Sequence, residues 1–211
     1  IRQINMNSNY AKDIYFINSN TGWASCENGD VLKTINGGIN WSSEIDPPKG
    51  SISSIEPLNT NTILMLSQSA ISGFSSTFYR STNRGYSWKE AFSSTGVINS
   101  VTMLNNTVGY CCGNSGAILK TIDAGNNWNA INFGMYDYKC VAFTNENTGF
   151  VCGRDGIIAK TVNGGVNWNI QVTSSQHNLN DIFLVDMQNG FVAADSGFIL
   201  KTSNSGLNWI E

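Results

Sequence analysis

Four arginines, one histidine and five cysteines bound the chemistry that this 211-residue chain can perform. A single imidazole, His177, excludes zinc sites built on several histidines and leaves one side chain that could serve as the base of a Ser–His–Asp arrangement. Hydrolysis of a glycoside by two carboxyl groups needs them about 5–9.5 Å apart, and Glu27, Asp137, Asp155 and Asp195 are the carboxylates whose turn or loop positions could bring such a pair together. The cysteines, Cys26, Cys111, Cys112, Cys140 and Cys152, are odd in number and contain no Cys-x-x-Cys. They read as small buried hydrophobes, not as a redox or metal site. Neither a metal nor a cofactor is called for, and no catalytic residue is assigned.

The elements that position these side chains come from an internal repeat. Five segments share the pattern T/S-x-N/D-x-G-x-x-W: Thr34 to Trp41, Ser81 to Trp88, Thr121 to Trp128, Thr161 to Trp168 and Thr202 to Trp209. The tryptophans follow one another at spacings of 47, 40, 40 and 41 residues, and five of the six in the chain occupy this one position. Upstream of each box lies an apolar run, then a glycine-containing turn, then a short strand ending in a basic–hydroxyl pair such as Lys33-Thr34 or Lys160-Thr161. β-Branched and aromatic residues dominate these runs, with no helical period, so each unit reads as four short strands separated by Asn/Gly/Ser turns. In the fourth unit the predicted strands are 139–144, 149–153, 157–162 and 168–173. Four strands in about 40–45 residues is the size of a propeller blade.

The box has a physical reading of its own. The Asn or Asp side chain (Asn36, Asn83, Asp123, Asn163, Asn204) is expected to bond backbone two residues on and hold the turn. The glycine at Gly38 and its equivalents permits positive φ. The indole (Trp41, Trp88, Trp128, Trp168, Trp209) is expected to wedge between neighbouring units while its N–H finds a partner.

These residues resemble the BNR/Asp-box propeller repeats, and most closely the photosystem II stability/assembly factor-like branch, with its G-W…G…I-L-K-T-x-x-G-G-x-x-W run. The resemblance spans nearly the whole chain. It implies an all-β, five-bladed β-propeller of four-stranded antiparallel blades forming one domain over 1–211, with repeats at about 12–48, 53–95, 99–135, 139–175 and 180–211 plus 1–6. The N-terminal Ile1 to Asn5 segment can supply the fourth strand of the last blade and close the ring; the competing reading is a piece of a longer propeller or array. Four of the five boxes carry Asn where the Asp-box pattern has Asp, which keeps the turn but removes a ring of carboxylates.

By the same resemblance the boxes lie opposite the working face. That face is expected to carry the loops between blades and the turns between second and third strands: Tyr10, Glu27, Phe74, Tyr136, Asp137, Tyr138, Arg154, Asp155, His177 and Asp195. Phe74 belongs to a six-residue insertion within Ser67 to Thr77, expected to project there. The five basic residues before the boxes read as packing or pairing between units, with an anion-binding ring as the alternative.

Net charge is −3, only 13% of residues are charged and no basic run occurs, which excludes a phosphate-neutralising nucleic-acid surface. No apolar window has the roughly 18 residues of a membrane span. Asp-box sialidases use an arginine triad; with Arg80 and Arg84 absorbed by the repeat, only Arg2 and Arg154 remain. The expected function is therefore a non-catalytic, extracytoplasmic (secreted, periplasmic or cell-surface) binding or assembly module engaging a protein or glycan. The alternatives are a self-associating subunit of a surface array or filament, and a sialidase-like glycoside hydrolase.

Overall fold

The computed structural model describes residues 10–43, 50–69 and 75–211. The first four repeats each fold as a four-stranded antiparallel sheet whose strands neighbour one another in chain order. The first sheet holds β1 (Ala11–Phe16), β2 (Gly22–Cys26), β3 (Val31–Thr34) and β4 (Ser42–Ser43). The second holds β5 (Ser51–Pro57), β6 (Ile63–Ser69), β7 (Ser75–Ser81) and β8 (Lys89–Ser94). The third holds β9 (Ile98–Met103), β10 (Gly109–Gly113), β11 (Ile118–Thr121) and β12 (Asn129–Ala130). The fourth holds β13 (Tyr138–Phe143), β14 (Gly149–Gly153), β15 (Ile158–Thr161) and β16 (Asn169–Ile170). A short β17 (Val172–Thr173) then precedes the last repeat, with β18 (Leu179–Leu184), β19 (Gly190–Ala194), β20 (Ile199–Thr202) and β21 (Asn208–Trp209). Here β18, β19 and β20 form a three-stranded sheet, β21 pairs in parallel with β17, and Ile210 bridges Lys201 where a fourth strand would begin. The segment 1–6, expected to complete this sheet, lies outside the described residues.

The chain divides into two compact units. The first comprises Ile1–Val97 with Asn105–Val108 and Ile122–Asn127; the second comprises Ile98–Leu104, Gly109–Thr121 and Trp128–Glu211. The core of the first is built by Trp23, Val31, Ile52, Ile55, Ile63 and Met65, which come from the facing sides of its two sheets. In the second, Phe150, Cys152 and Ile158 of one sheet meet Leu179, Ile182, Val192 and Leu200 of the next, closed by Trp209. All five cysteines are buried and unpaired, as small hydrophobes would be.

First strands share one irregularity. The ladder slips between Ala11 and Asp13, between Ile52 and Ser54, between Tyr138 and Cys140, and between Leu179 and Asp181. Such a bulge re-aims the side chain beside it, and it turns Asp13, Ser54, Cys140 and Asp181 out of the regular alternation.

The box turns are built differently from the expected two-residue Asx-turn. Asn36, Asn163 and Asn204 accept the backbone N–H four residues on, from Asn40, Asn167 and Asn208 at 2.9, 2.9 and 3.3 Å. The preceding hydroxyl does the shorter work: Thr161 Oγ1 donates to Asn163 Oδ1 at 3.1 Å and accepts the Gly165 N–H at 2.9 Å. Two successive residues in the left-handed region, Gly164 at φ +65° and Gly165 at φ +83°, lengthen the turn and move the amide out of two-residue reach. Trp128, Trp168 and Trp209 are buried and Trp41 and Trp88 half-buried. Among the described residues the indole N–H groups of Trp168 and Trp209 make no hydrogen bond, contrary to expectation, because each is pressed under its own box glycine.

Candidate binding face

The between-repeat loops and the turns after second strands meet through one recurring bond. In the first unit the Glu27 N–H donates to the Tyr10 carbonyl at 2.9 Å. In the second, the Arg154 N–H donates to the Asp137 carbonyl at 3.0 Å and the Asp195 N–H to the Asn178 carbonyl at 2.9 Å. Loop and turn are thereby held side by side at the first, fourth and fifth repeats, and in the second unit the bonds run on from one repeat to the next. Gly116 N–H donates to the Tyr136 carbonyl at 2.7 Å, and Ser115 N–H to Asp137 Oδ1 at 2.9 Å. Arg154 Nη1 lies 3.4 Å from Asp137 Oδ2, and the Asp155 N–H reaches Asn178 Oδ1 at 3.3 Å. Asp195 closes the series, accepting from the side-chain amides of Asn178 at 2.8 Å and Asn180 at 2.7 Å.

The structure therefore brings Tyr136, Asp137, Arg154, Asp155 and Asp195 onto one braced polar ledge. His177 joins it by stacking on Phe198, with ring centroids 4.3 Å apart. In the first unit Tyr10 is exposed and Glu27 pairs with Lys12 at 3.1 Å. Tyr138 is a correction. It is the first residue of β13, fully buried, and its hydroxyl donates to the Phe133 carbonyl at 2.8 Å, so its ring anchors the loop and cannot stack on a ligand. Phe74 lies outside the described residues. The insertion around it lengthens the β6–β7 hairpin, with Ser67, Gln68 and Ser69 paired to Thr77, Ser76 and Ser75.

Asn178, Asn180 and Phe198 were not among the sequence candidates. Aligned on the repeat, Asn178 occupies the position of Tyr10 and Asp137, four residues before the first-strand aliphatic Ile182, as those two precede Ile14 and Val141. That alignment was the signal that could have found it.

The electrostatics of the ledge favour binding over acid catalysis. Hydrogen bonds from Asn180 and Asn178 hold the Asp195 carboxyl below the usual carboxylate range. A general acid for glycoside cleavage needs the opposite shift. Asp137 and Asp195 are committed to bracing turns, and no cluster of three His, Cys, Asp or Glu side chains able to hold a metal occurs among the described residues. A separate cavity of 260 Å³ lies in the first unit beside the second box, lined by Arg80, Thr82, Ser87, Lys89, Glu90, Ala91 and Asn126, and shares none of the ledge residues.

With the repeat and the ledge described, the chain matches the family of the photosynthesis system II assembly factor YCF48 over residues 2–135 and 134–211. The chain belongs to the YCF48 family. Its repeats are of the BNR propeller type, as the boxes implied, and the family is that of an assembly factor, not of an enzyme. YCF48 from Cyanidioschyzon merolae superimposes with a TM-score of 0.70 at 16% identity, covering 90% of this chain and 68% of that one. A structure of YCF48 bound to D1 peptide matches with a TM-score of 0.52 at 17% identity, covering 96% and 81%. The GH74 enzyme of Niastella koreensis matches with a TM-score of 0.73 at 14% identity, covering 94% of this chain but 37% of its own; at that identity it speaks for the fold alone. A comparison with curated proteins finds no match.

Proposed function

We propose that this chain is a non-catalytic assembly module that binds a segment of a partner protein along the polar ledge of its second unit. The observation that carries the reading is the continuous series of braced loop and turn groups from Ser115 to Asp195, which sets the exposed Arg154 guanidinium and the Tyr136 ring on a rigid support. Rigid support lowers the ordering cost of binding, and Tyr and Arg are the side chains that most often dominate interfaces. The solved complex of YCF48 with D1 peptide supports a peptide-like partner. The count of five blades belongs to this proposal, supported by four complete sheets and a three-stranded fifth. So does a location outside the cytoplasm, with which five unpaired thiols are compatible because burial shelters them from oxidation.

The test is fluorescence anisotropy with labelled D1 peptide beside selection from a random peptide library, each repeated with Arg154→Ala and Tyr136→Ala. Saturable binding that weakens by about tenfold in each variant is the expected result. Binding indifferent to both changes, or a glycan-array signal without peptide binding, would overturn the reading.

A further inference from the structure

Within each compact unit, the basic residue that ends a third strand serves the junction with the following repeat. Lys33 donates to the box carbonyl of Arg84 at 2.9 Å, Lys120 to that of Gly164 at 3.0 Å, and Lys160 to that of Ser205 at 2.6 Å. Each acceptor stands three residues after the box hydroxyl, in the left-handed region. Arg80 holds the same place in the second repeat, and Ala124 carries the equivalent carbonyl of the third box. Arg80 makes no such bond among the described residues, and its buried Nε has no hydrogen-bond partner there.

What Arg80 lines instead is the 260 Å³ cavity beside the second box, whose walls all belong to the first unit. Across the ladder stands a second lining residue, Lys89, paired directly with Arg80. Lys33, Lys120 and Lys160 stand opposite Ser42, Asn129 and Asn169 instead. Like charges directly opposite one another on a sheet repel, so the second repeat carries a repulsion that those three avoid. A register shift between Phe78 and Tyr79 leaves Ala91 unpaired. Strand residues otherwise alternate between faces, and the bulge sets three successive ones, Lys89, Glu90 and Ala91, along one cavity. Glu90 accepts from Ser93 Oγ at 2.7 Å. Ser87 Oγ accepts from Asn83 Nδ2 at 2.9 Å, which leaves its own proton to donate.

We propose that this cavity binds a small monocarboxylate, held between Arg80 and Lys89. A guanidinium presents a planar fork that matches a carboxylate, and an anion between the two cations relieves their repulsion. With Glu90 set against Arg80 and Lys89, the lining carries one more positive than negative charge, which suits a monoanion better than a phosphate dianion. Glu90 is the acceptor for a hydroxyl or ammonium group on the same ligand, and Ser87 the donor. Drug-sized ligands occupy pockets of about 300–1,000 Å³, so 260 Å³ sets the ligand at the size of one sugar acid or amino acid. The site shares no residue with the ledge and stands independently of peptide binding.

The test is isothermal titration calorimetry of the whole chain at neutral pH with glucuronate, L-alanine, glucose and inorganic phosphate. Saturable binding of glucuronate or alanine is expected, and none of glucose; the tighter of the two shows which donor Glu90 accepts. Arg80→Lys gives the second repeat the residue that the other junctions carry, and Lys89→Asn the one that stands opposite Lys120 and Lys160. Both variants are therefore expected to fold, as circular dichroism would show, and to weaken binding at least about tenfold. Glu90→Gln, which removes the opposing charge, is expected to admit phosphate. Three results would each overturn the proposal: no binding of either monocarboxylate, binding unchanged in both cation variants, or phosphate binding the wild type as tightly as glucuronate. Peptide binding at the ledge is expected to be unchanged in all three variants, so failure here is separable from failure of the proposed function.

Discussion

Gly165 and Gly197 hold nearly the same backbone conformation, φ +83° and +82°, but only one is also crowded. A β-carbon on Gly165 would meet Ile131 at 3.0 Å and Tyr110 at 3.1 Å, whereas on Gly197 it would meet nothing within 4 Å. Gly197→Ala is thus expected to cost only the left-handed strain, about 1 kcal/mol, and Gly165→Ala about 3 kcal/mol once overpacking is added. Urea unfolding midpoints of the two variants check this, and equal losses would show that the junction has slack. A second residue makes stability depend on pH. Burial first, and the neighbouring Asp13 second, push the half-buried Glu56 carboxyl up from 4.5 to about 8. Between those values the folded chain holds a proton that the unfolded chain has released, so stability is full below the lower value and is lost as pH rises through the upper one. Wild-type protein is expected to unfold at lower urea at about pH 9 than at about pH 5, with Glu56→Gln removing most of that difference.

At the scale of elements, the lysine that ends each third strand works through its neighbour. Lys160 donates to the Ser205 carbonyl at 2.6 Å, while exposed Lys201 lies, among the described residues, over the Phe191 ring, 5.9 Å from its ammonium. Lys160→Met is therefore expected to cost about 1–2 kcal/mol and Lys201→Met less than about 0.5 kcal/mol in denaturant titration. A ring of anion-binding lysines would instead make the two equivalent. This pairing was legible in the sequence, because a period of forty residues writes the same turn and strand residues at fixed offsets. The second strand of the fourth repeat falls on the residues expected, and its first and third within one residue of them. What the pattern left unread depends on backbone detail. A bulge between Tyr138 and Cys140 begins β13 a residue early and turns Tyr138 inward, so a loop tyrosine became a core residue. Asn178 escaped notice because its backbone carbonyl and side-chain amide do the bracing, and neither charge nor aromaticity marks it. The two successive left-handed residues of the box are visible only where both are glycine; Arg84, Ala124 and Ser205 adopt the same region without announcing it.

For the molecule as a whole, stability built from contacts between neighbouring repeats should vary along the chain, since a repeat whose first strand is exposed has fewer contacts to lose on opening. β1 and β13 isolate that effect. Each is a six-residue strand paired antiparallel to a second strand across the same kind of bulge, so their ladders offer comparable protection. They differ in what covers them: Ile14, Tyr15 and Phe16 of β1 are exposed, while Tyr138, Cys140 and Val141 of β13 are buried. Hydrogen exchange, followed by mass spectrometry, is expected to be at least about tenfold faster in Ala11–Phe16 than in Tyr138–Phe143. Exchange at one common rate would mean that the chain opens as a single cooperative block. The ledge that carries Asp137 and Arg154 is mounted on the protected strands β13 and β14, so mild denaturant that frees β1 should leave binding at the ledge intact. Loss of both at one urea concentration would contradict the nearest-neighbour account.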